Sequence, residues 1–225
     1  MNKNTCKKAI LKTAGITILA ALFYIACDDN GVIVVTPDVS TFTDSRDGKV
    51  YKKVLIGEQI WMAENLRYEA DNSICYSGGM YLDTAITCKN WGRLYDWNTA
   101  MDGEHSSNAN PSGIKGVCPA GWHLPSDAEW TELIDYVGEN AGTKLKSREF
   151  HDGVAPGGTP SPDGTDKYRF SALDGPMASR WWSTTEMESD EAKAGNWYVS
   201  GSSVGVTRYP LDKHAYFLSV RCVHD

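Results

Sequence analysis

The segment 118–130 constrains the fold of this chain more than any other stretch. Ser126 is followed three residues later by Glu129, which is the pattern of a capping box at the start of a helix. Apolar residues then recur with helical spacing, and Gly138 follows where a helix commonly ends in a left-handed residue. The pattern therefore predicts a helix over 127–137 that buries one face.

The first 26 residues have the composition of an export signal. Four lysines and no acidic residue accompany an apolar run of 13 residues, Ala14–Ala26, which is short for a membrane span but suits a signal-peptide core. Ala26 directly before Cys27 resembles a bacterial lipobox, although Tyr24 stands where leucine is usual. We expect a signal over 1–26 and lipidation of Cys27, with ordinary secretion as the alternative.

The charge balance bears on partners and location. Removing a leader with four lysines and no acidic residue takes the net charge from −7 to −11. A strongly acidic chain disfavours nucleic acid as a partner, because phosphate repels it. We therefore expect an exported protein that touches a membrane only through its lipid anchor, at the outer membrane or the cell surface of a bacterium.

Four cysteines remain in the expected mature chain: Cys75, Cys88, Cys118 and Cys222. An even number in an exported domain predicts two disulfides, for which three pairings exist. Joining Cys75 to Cys88 closes a short loop, whereas joining Cys118 to Cys222 would tie the start of the predicted helix to an apolar run near the end of the sequence. The absence of a Cys-x-x-Cys pair disfavours a zinc cluster or a thioredoxin-type redox site.

The chain divides into a signal at 1–26, a flexible tether at 27–43 with one docking strand, and a domain over 44–225. Within the domain, turn signals and periodicity predict a strand hairpin over 49–56 and 59–62, a short helix over 91–101, a helical turn over 141–147, and an antiparallel meander from 168 to 223 with a spacer at 210–212. Long loops are predicted at 102–117 and 148–167. The fold class is therefore α+β.

Six motifs in this order resemble the family of the Fibrobacter succinogenes major paralogous domain, over nearly all of residues 44–225. They are Asp47–Tyr51, Gln59–Leu66, Gly92–Trp97, Cys118–Ser126, Trp181–Glu186 and Ser219–Val223. Members of that family are exported, often lipidated bacterial proteins without an established activity. The resemblance therefore implies an envelope location and no particular reaction.

A second resemblance concerns the fold alone. Leu124–Trp130, together with Val220–Val223, is similar to segments of formylglycine-generating enzymes and of the wider C-type-lectin-like fold. It implies a C-type-lectin-like α+β domain with two main helices, antiparallel strands, long loops and two disulfides. In that fold a disulfide commonly joins the region of an early helix to the last strand, which favours the pairs Cys118–Cys222 and Cys75–Cys88. Such an analogy carries no function with it.

No residue constellation for catalysis is evident in the sequence. Formylglycine-generating enzymes need a cysteine pair that binds copper, whereas two disulfides would use all four cysteines here. The acidic run 186–191 offers carboxylates for glycoside hydrolysis, but a solvated loop between two strands explains it better. His123, beside the helix cap, is expected to be buried and hydrogen-bonded. We expect a protein that is not an enzyme, with an oxidase-like relative or a glycoside hydrolase as the alternative.

Calcium is the one cofactor that the sequence leaves open. Asp152, Asp163 and Asp166 in the long loop 148–167 are hard oxygen donors of the kind that calcium prefers. The calcium-binding sugar motifs of C-type lectins are absent, and aspartates in a loop commonly form turns. We therefore favour turns over a metal site.

The eight tryptophans suggest both a core and a binding surface. The core is expected to contain Trp61, Trp122, Trp130 and Trp182. Candidates for partly exposed, ligand-binding aromatics are Trp91, Trp181, Trp197 and Tyr209.

The sequence as a whole predicts a non-catalytic protein that binds polysaccharide or a cell-surface protein. Its two long loops are the expected contact surfaces. A purely structural envelope component is the second alternative.

Overall fold

A computed structural model of the protein describes residues 23–27, 33–77, 84–148, 164–173, 179–201 and 203–225. Its strands are β1 (Phe23–Cys27), β2 (Ile33–Pro37), β3 (Val39–Thr43), β4 (Val50–Ile56), β5 (Gln59–Met62), β6 (Leu94–Tyr95), β7 (Trp122–His123), β8 (Arg180–Met187), β9 (Asp190–Val199), β10 (Val206–Asp212), β11 (Leu218–Ser219) and β12 (Val223–His224). Its helices are α1 (Thr84–Trp91), α2 (Trp97–Met101), α3 (Asp127–Val137) and α4 (Ala141–Leu145). The expected combination of helices with largely antiparallel strands is confirmed.

The strands form two five-stranded sheets and a separate hairpin. The first sheet has the order β3-β4-β5-β12-β7, and the second has the order β10-β9-β8-β11-β6. Among the described residues, strands β1 and β2 pair with each other and with no further strand. Each large sheet therefore combines strands from the beginning of the domain with strands from its end.

The predicted hairpin of β4 and β5 is confirmed, with Val54 opposite Trp61. The segment interpreted as a tether contributes β3, which pairs with β4 along its whole length. Phe42 of β3 stacks on Trp122, with ring centroids 4.2 Å apart. Phe42 also stacks on Tyr51, its register partner on β4, with ring centroids 5.5 Å apart, so an aromatic cross-strand contact accompanies the backbone pairing of this edge strand.

The predicted meander is confirmed for β8, β9 and β10, which pair antiparallel in sequence order. Residues 210–212 belong to β10 and are not a spacer, which corrects the sequence interpretation. Pro210 fits there because β10 is an edge strand and its outer side needs no backbone donor. The segment 168–170, expected to be a strand, is mostly a turn in which Arg169 has a φ of 57°.

The last predicted strand, 215–223, is in fact two short strands in different sheets. β11 pairs with β6 and runs parallel to β8, whereas β12 lies between β5 and β7 of the first sheet. Between them the chain passes from one sheet to the other at Val220–Cys222, where Leu66 N donates to Val220 O and Met62 N to Cys222 O. We call Val220–Cys222 the crossing segment.

The helix predicted over 91–101 is wrong in its first half. Helix α1 ends at Trp91, because Gly92 adopts a φ of 89° and a β-carbon there would lie 2.6 Å from Cβ of Asn65. Leu94 and Tyr95 then form β6, and Asp96 caps α2 by accepting from Thr99 N at 2.7 Å. The apolar residues that suggested one helix therefore belong to two elements: Leu94 is in β6, whereas Trp97 and Met101 are in α2.

Helix α3 is capped as the sequence predicts. Ser126 Oγ accepts from Glu129 N at 3.2 Å, and Glu129 Oε2 accepts from Ser126 N at 3.0 Å. Gly138 does have a positive φ, 70°, but its ψ of −155° is outside the left-handed helical region, which corrects that detail. Helix α4 confirms the expected helical turn.

Two hydrophobic clusters lie on opposite faces of the second sheet. Because neighbouring side chains on a strand point to opposite faces, Trp181 joins one cluster and Trp182 the other. The aromatic cluster is centred on Trp61, Trp130, Phe170, Trp181 and Trp197. The other cluster contains Trp122, Trp182 and the Cys118–Cys222 disulfide.

Both expected disulfides are present, Cys75–Cys88 and Cys118–Cys222. The second joins the approach to α3 with the crossing segment and closes a loop of 104 residues. A crosslink of that span removes much conformational freedom from the unfolded chain, about 4.7 kcal/mol in the chain-entropy model for a loop of roughly 100 residues.

His123 is buried and hydrogen-bonded, as expected. Its Nε2 lies 2.6 Å from Glu129 Oε1 and its Nδ1 lies 2.8 Å from Asp225 Oδ1. Both nitrogens donate only in the imidazolium form. Burial by itself lowers the pKa of His123, but the bonds to Glu129 and Asp225 outweigh burial, so its pKa is raised. His123 therefore connects the cap of α3 to the end of the first sheet, and both contacts favour its protonated form.

We expect His123→Gln to destabilise the protein more at acidic than at alkaline pH. Because its folded pKa exceeds the unfolded value of about 6.5, the contribution of His123 is fully present below about pH 6.5 and is lost as pH rises through the folded pKa. Urea unfolding of both forms across this range measures the difference. His105→Gln is the control, since His105 is exposed. A His123 difference that stays constant or grows with pH contradicts the assignment.

Candidate functional site

The buried centre of the molecule holds a positive charge. Arg221, in the crossing segment, has no exposed surface. Its Nε and Nη2 donate to Asn65 Oδ1 at 3.1 and 2.8 Å, and its Nη1 donates to the carbonyl of Phe170. The guanidinium also lies 4.2 Å from the ring centroid of Phe170 and 5.1 Å from that of Trp181. Arg221 is thus solvated by neutral acceptors and aromatic faces.

No carboxylate of the described residues forms a salt bridge with Arg221. Burial lowers its pKa to about 9, although the more distant Glu64 and Asp166 act in the opposite direction. The guanidinium therefore remains charged at neutral pH, and its field extends into the surroundings without a direct counter-ion.

Asn65 connects this charge to the surface. Its Oδ1 also accepts from Trp181 Nε1 at 2.8 Å, and its Nδ2 donates to Trp91 O at 2.9 Å and to Ser219 Oγ at 3.1 Å. One side chain thereby fixes the crossing segment, the aromatic cluster and the end of α1. Satisfying every polar atom of a buried amide in this way makes the surrounding backbone rigid.

A small cavity of about 140 Å³ has Asn65 in its lining. We call it the cationic pocket, because three of the residues that line it are basic and one is acidic. The lining residues that matter here are Lys52, Glu64, Asn65, Arg67, Lys89 and Ser171.

The basic side chains of the cationic pocket differ in whether they already have interaction partners in the protein. Arg67 lies 4.5 Å from the ring centroid of Tyr51 and donates to Val50 O, with Nη1 3.7 Å from Glu64 Oε1. In contrast, the exposed ammonium groups of Lys52 and Lys89 form no salt bridge with any residue that the structure describes. The pocket therefore has two lysines free to engage an anion.

An apolar surface adjoins this pocket around the Cys75–Cys88 disulfide. We call it the disulfide surface, and it consists of Ile74, Tyr76, Ile86 and Trp91. Ile74 is 43% exposed and Ile86 is 56% exposed, while the rings of Tyr76 and Trp91 lie 6.0 Å apart. Because Lys89 and Gly92 both line the pocket, Trp91 lies between two pocket residues in the chain.

Arg93 holds the disulfide surface in place from below. Its Nε and Nη2 donate to Oγ and O of Ser73, both at 2.9 Å, and Nη1 faces the two sulfur atoms at 3.6 and 3.8 Å. The disulfide itself joins α1 to the strand-like segment at Ile74, which pairs with Leu94. Tyr76 and Trp91 therefore belong to two segments that the Cys75–Cys88 disulfide joins covalently.

The four aromatic residues predicted to bind a ligand differ in burial and do not form one site. Trp91 is partly exposed and Tyr209 is 47% exposed, as expected. Trp181 and Trp197 are buried, which corrects the sequence interpretation: Trp181 stacks on Trp130, and Trp197 Nε1 donates to Asp127 Oδ1 at 2.8 Å. Tyr209 is on β10, at the opposite edge of the second sheet from β6, so it cannot share a site with Trp91.

Of the three aspartates proposed for calcium, Asp152 and Asp163 are outside the described residues. Asp166 has a φ of 45° and accepts from Ser171 N and Ser171 Oγ, both at 2.8 Å. It closes a turn, in agreement with the preferred interpretation. Within the described part of the chain, no group of three His, Cys, Asp or Glu side chains is arranged to hold a metal ion.

A larger groove of about 330 Å³ lies beside the loop 102–117, with Lys115, Trp122, His123 and Asp225 in its lining. Its histidine is already bound by two carboxylates, and Trp122 is only 3% exposed. The acidic run spans the hairpin turn between β8 and β9, and its ends are strand residues where the sequence predicted a loop. Glu186 on β8 pairs with Lys213, and Asp190 on β9 pairs with Lys193. Neither the larger groove nor the acidic run therefore combines an unpaired charged group with an exposed aromatic side chain.

The sequence interpretation missed the residues that form the pocket. Arg221 enters the sequence interpretation only as part of a motif, although a charged residue inside the apolar run 219–223 is the available signal for a buried cation. Lys52 and Lys89 are 37 positions apart and carry no pattern that would bring them together.

The fold and the site together define an α+β domain with two disulfides and a basic pocket beside partly exposed aromatics. The chain belongs to the Fibrobacter succinogenes major domain family, whose model matches residues 54–224. No curated protein and no solved structure matches the chain. Among the described residues, no helix is long and apolar enough to cross a membrane.

We expect Asn65→Ala to lower the free energy of unfolding by about 3 kcal/mol, because it removes the acceptor of a buried guanidinium. Asn65→Ala combined with Arg221→Met should unfold less readily than Asn65→Ala alone, since the stranded charge is removed. Chemical denaturation of the variants measures both effects, with the exposed Asn98→Ala as control. Additive losses in the double variant would show that Asn65 does not serve Arg221.

Proposed function

We propose that this protein is a lipid-anchored envelope protein whose exported domain binds polysaccharide and catalyses no reaction. The observation that carries the proposal is the disulfide surface, where two exposed isoleucines and two partly exposed aromatic side chains lie beside a disulfide crosslink. Exposed apolar groups on a rigid, polar-rimmed surface are typical of binding sites.

A sugar ring suits this surface for two reasons. The face of a pyranose ring carries C–H groups that pack on aromatic rings, and Trp91 with Tyr76 offers two such rings 6.0 Å apart. The hydroxyl groups need polar partners, and the exposed side chain of Asn90 lines the adjoining pocket. A rigid surface also loses little conformational entropy when a ligand binds. A cell-surface protein is the alternative ligand.

The proposal places the domain outside the cytoplasm. Two disulfides are typical of oxidising compartments, which supports export. Cleavage before Cys27 would remove four of the five residues of β1, so the pairing of β1 with β2 belongs to the uncleaved chain. Lipid on Cys27 would then anchor the domain through residues 28–38.

We also infer that the domain is C-type-lectin-like. The supporting feature is the Cys118–Cys222 disulfide, which links the approach to α3 with the segment before the last strand. The alternatives of an envelope oxidase or glycoside hydrolase, and of a purely structural component, make different predictions for the binding experiment below. An enzyme would release altered products, and a structural component would bind no glycan.

We expect the full chain, purified in detergent, to bind members of a broad polysaccharide panel, and Trp91→Ala to weaken that binding about tenfold. Loss of one stacking ring corresponds to roughly 1.4 kcal/mol at that ratio. Immobilised-glycan binding measures the affinity. The control is Tyr136→Ala, which removes an exposed aromatic from α3, away from the disulfide surface. If no polysaccharide binds, the proposal is wrong and protein partners or scaffolding replace it.

We expect Cys27→Ser to prevent lipidation and to release the domain from the membrane fraction. The physical reason is that a thioether-linked lipid requires the cysteine sulfur, and the buried apolar area of its chains provides the anchoring energy. Labelling with a fatty-acid analogue in a bacterial host, followed by fractionation, measures both. Tyr24→Leu restores the usual lipobox residue and should keep the label. Labelling of Cys27→Ser would refute the assignment.

A further inference from the structure

We infer that the cationic pocket binds the anionic substituent of an acidic polysaccharide whose sugar ring rests on the adjoining disulfide surface. The inference rests on the proposed function and deepens it, because it names the chemical class of the polysaccharide. The shared chemistry is a carboxylate, sulfate or phosphate group on a sugar.

The first support is local charge in a chain of opposite sign. The protein carries a net charge of −7, yet this pocket gathers Lys52, Arg67 and Lys89 around the single carboxylate of Glu64. Arg67 is partly engaged with Glu64, whereas the two lysines form no salt bridge with the described residues. The net negative charge of the chain repels polyanions, whereas a basic pocket attracts their anionic groups to this position.

The second support is the buried charge behind the pocket. Asn65 lines the cavity with part of its surface and accepts from Arg221 with its Oδ1. Arg221 forms no salt bridge with a described carboxylate, and although Glu64 and Asp166 act on its charge from a distance, that charge attracts an anion through a region of low dielectric constant. Arg221 is desolvated when the protein folds, so the free energy of removing its guanidinium from water does not reduce the affinity for an anion.

The third support is size and position. A cavity of about 140 Å³ accommodates one small anionic group and not a whole sugar. Lys89, Asn90 and Gly92 line it, and Trp91 lies among them in sequence with its carbonyl held by Asn65 at 2.9 Å. An anionic substituent in the pocket would therefore place its own ring next to the disulfide surface.

The test uses the full chain in detergent with three immobilised probes: polygalacturonate for carboxylates, dextran sulfate for sulfate esters, and dextran as a neutral polysaccharide. We expect tighter binding to at least one acidic probe than to dextran, and that binding should weaken as sodium chloride rises. Which acidic probe binds more tightly identifies the group that the pocket accepts.

The decisive variant is Lys52→Gln combined with Lys89→Gln. It should weaken binding to the acidic probe about tenfold and leave dextran binding unchanged. The matched control is Lys115→Gln combined with Lys167→Gln, which removes the same charge from exposed lysines outside the pocket. The control should change affinity less than twofold. Near-ultraviolet circular dichroism of the tryptophans verifies that all variants are folded.

Three outcomes overturn the inference. Equal losses in both double variants would show attraction by overall charge and no specific pocket. Acidic and neutral probes that bind alike, with no effect of Lys52→Gln and Lys89→Gln, would refute the anionic class while leaving polysaccharide binding intact. Absence of binding to any polysaccharide, dextran included, would refute the proposed function and this inference with it.

Discussion

The structure depends on how a buried guanidinium is accommodated. Arg221 lies in the crossing segment between the two large sheets. Its Nε and Nη2 both donate hydrogen bonds to Oδ1 of Asn65. The same amide reaches Trp181, Trp91 and Ser219, so the passage between sheets, the aromatic cluster and the end of α1 share one polar junction. Burying a charge is costly, and hydrogen bonds together with aromatic faces reduce the cost enough for the charged form to persist.

That junction also relates stability to the proposed binding. Asn65 accepts hydrogen bonds from Arg221 and also lines the cationic pocket. The fold therefore holds the positive charge of Arg221 one residue behind the pocket. Lys52 and Lys89 add exposed positive charges to the lining of the pocket, and the Cys75–Cys88 disulfide crosslinks the apolar surface that adjoins it. A rigid apolar surface next to a concentrated positive charge is complementary to a sugar that carries an acidic group.

The comparison of sequence and structure shows where local patterns suffice. The capping box of Ser126 and Glu129 predicts α3 because both partners lie within one turn. The exposure of tryptophan is a different matter, since it depends on what covers the ring. Trp181 and Trp182 are neighbours on β8, and both are buried because the second sheet carries a hydrophobic cluster on each face. Nothing in the local sequence states that both faces are covered.

The sequence alone determined the helix with its cap, the hairpin of β4 and β5, the α+β class and a set of cysteines that suits two disulfides. Each of these follows from short-range geometry or from residue counts. The tertiary structure decided that the chain crosses between sheets at 220–222, that Asn65 meets Arg221 across 156 positions, and that Lys52 and Lys89 line one cavity. Such contacts depend on how distant segments pack together, and the energy of a buried charge or a pocket arises only once those segments exclude water from one another.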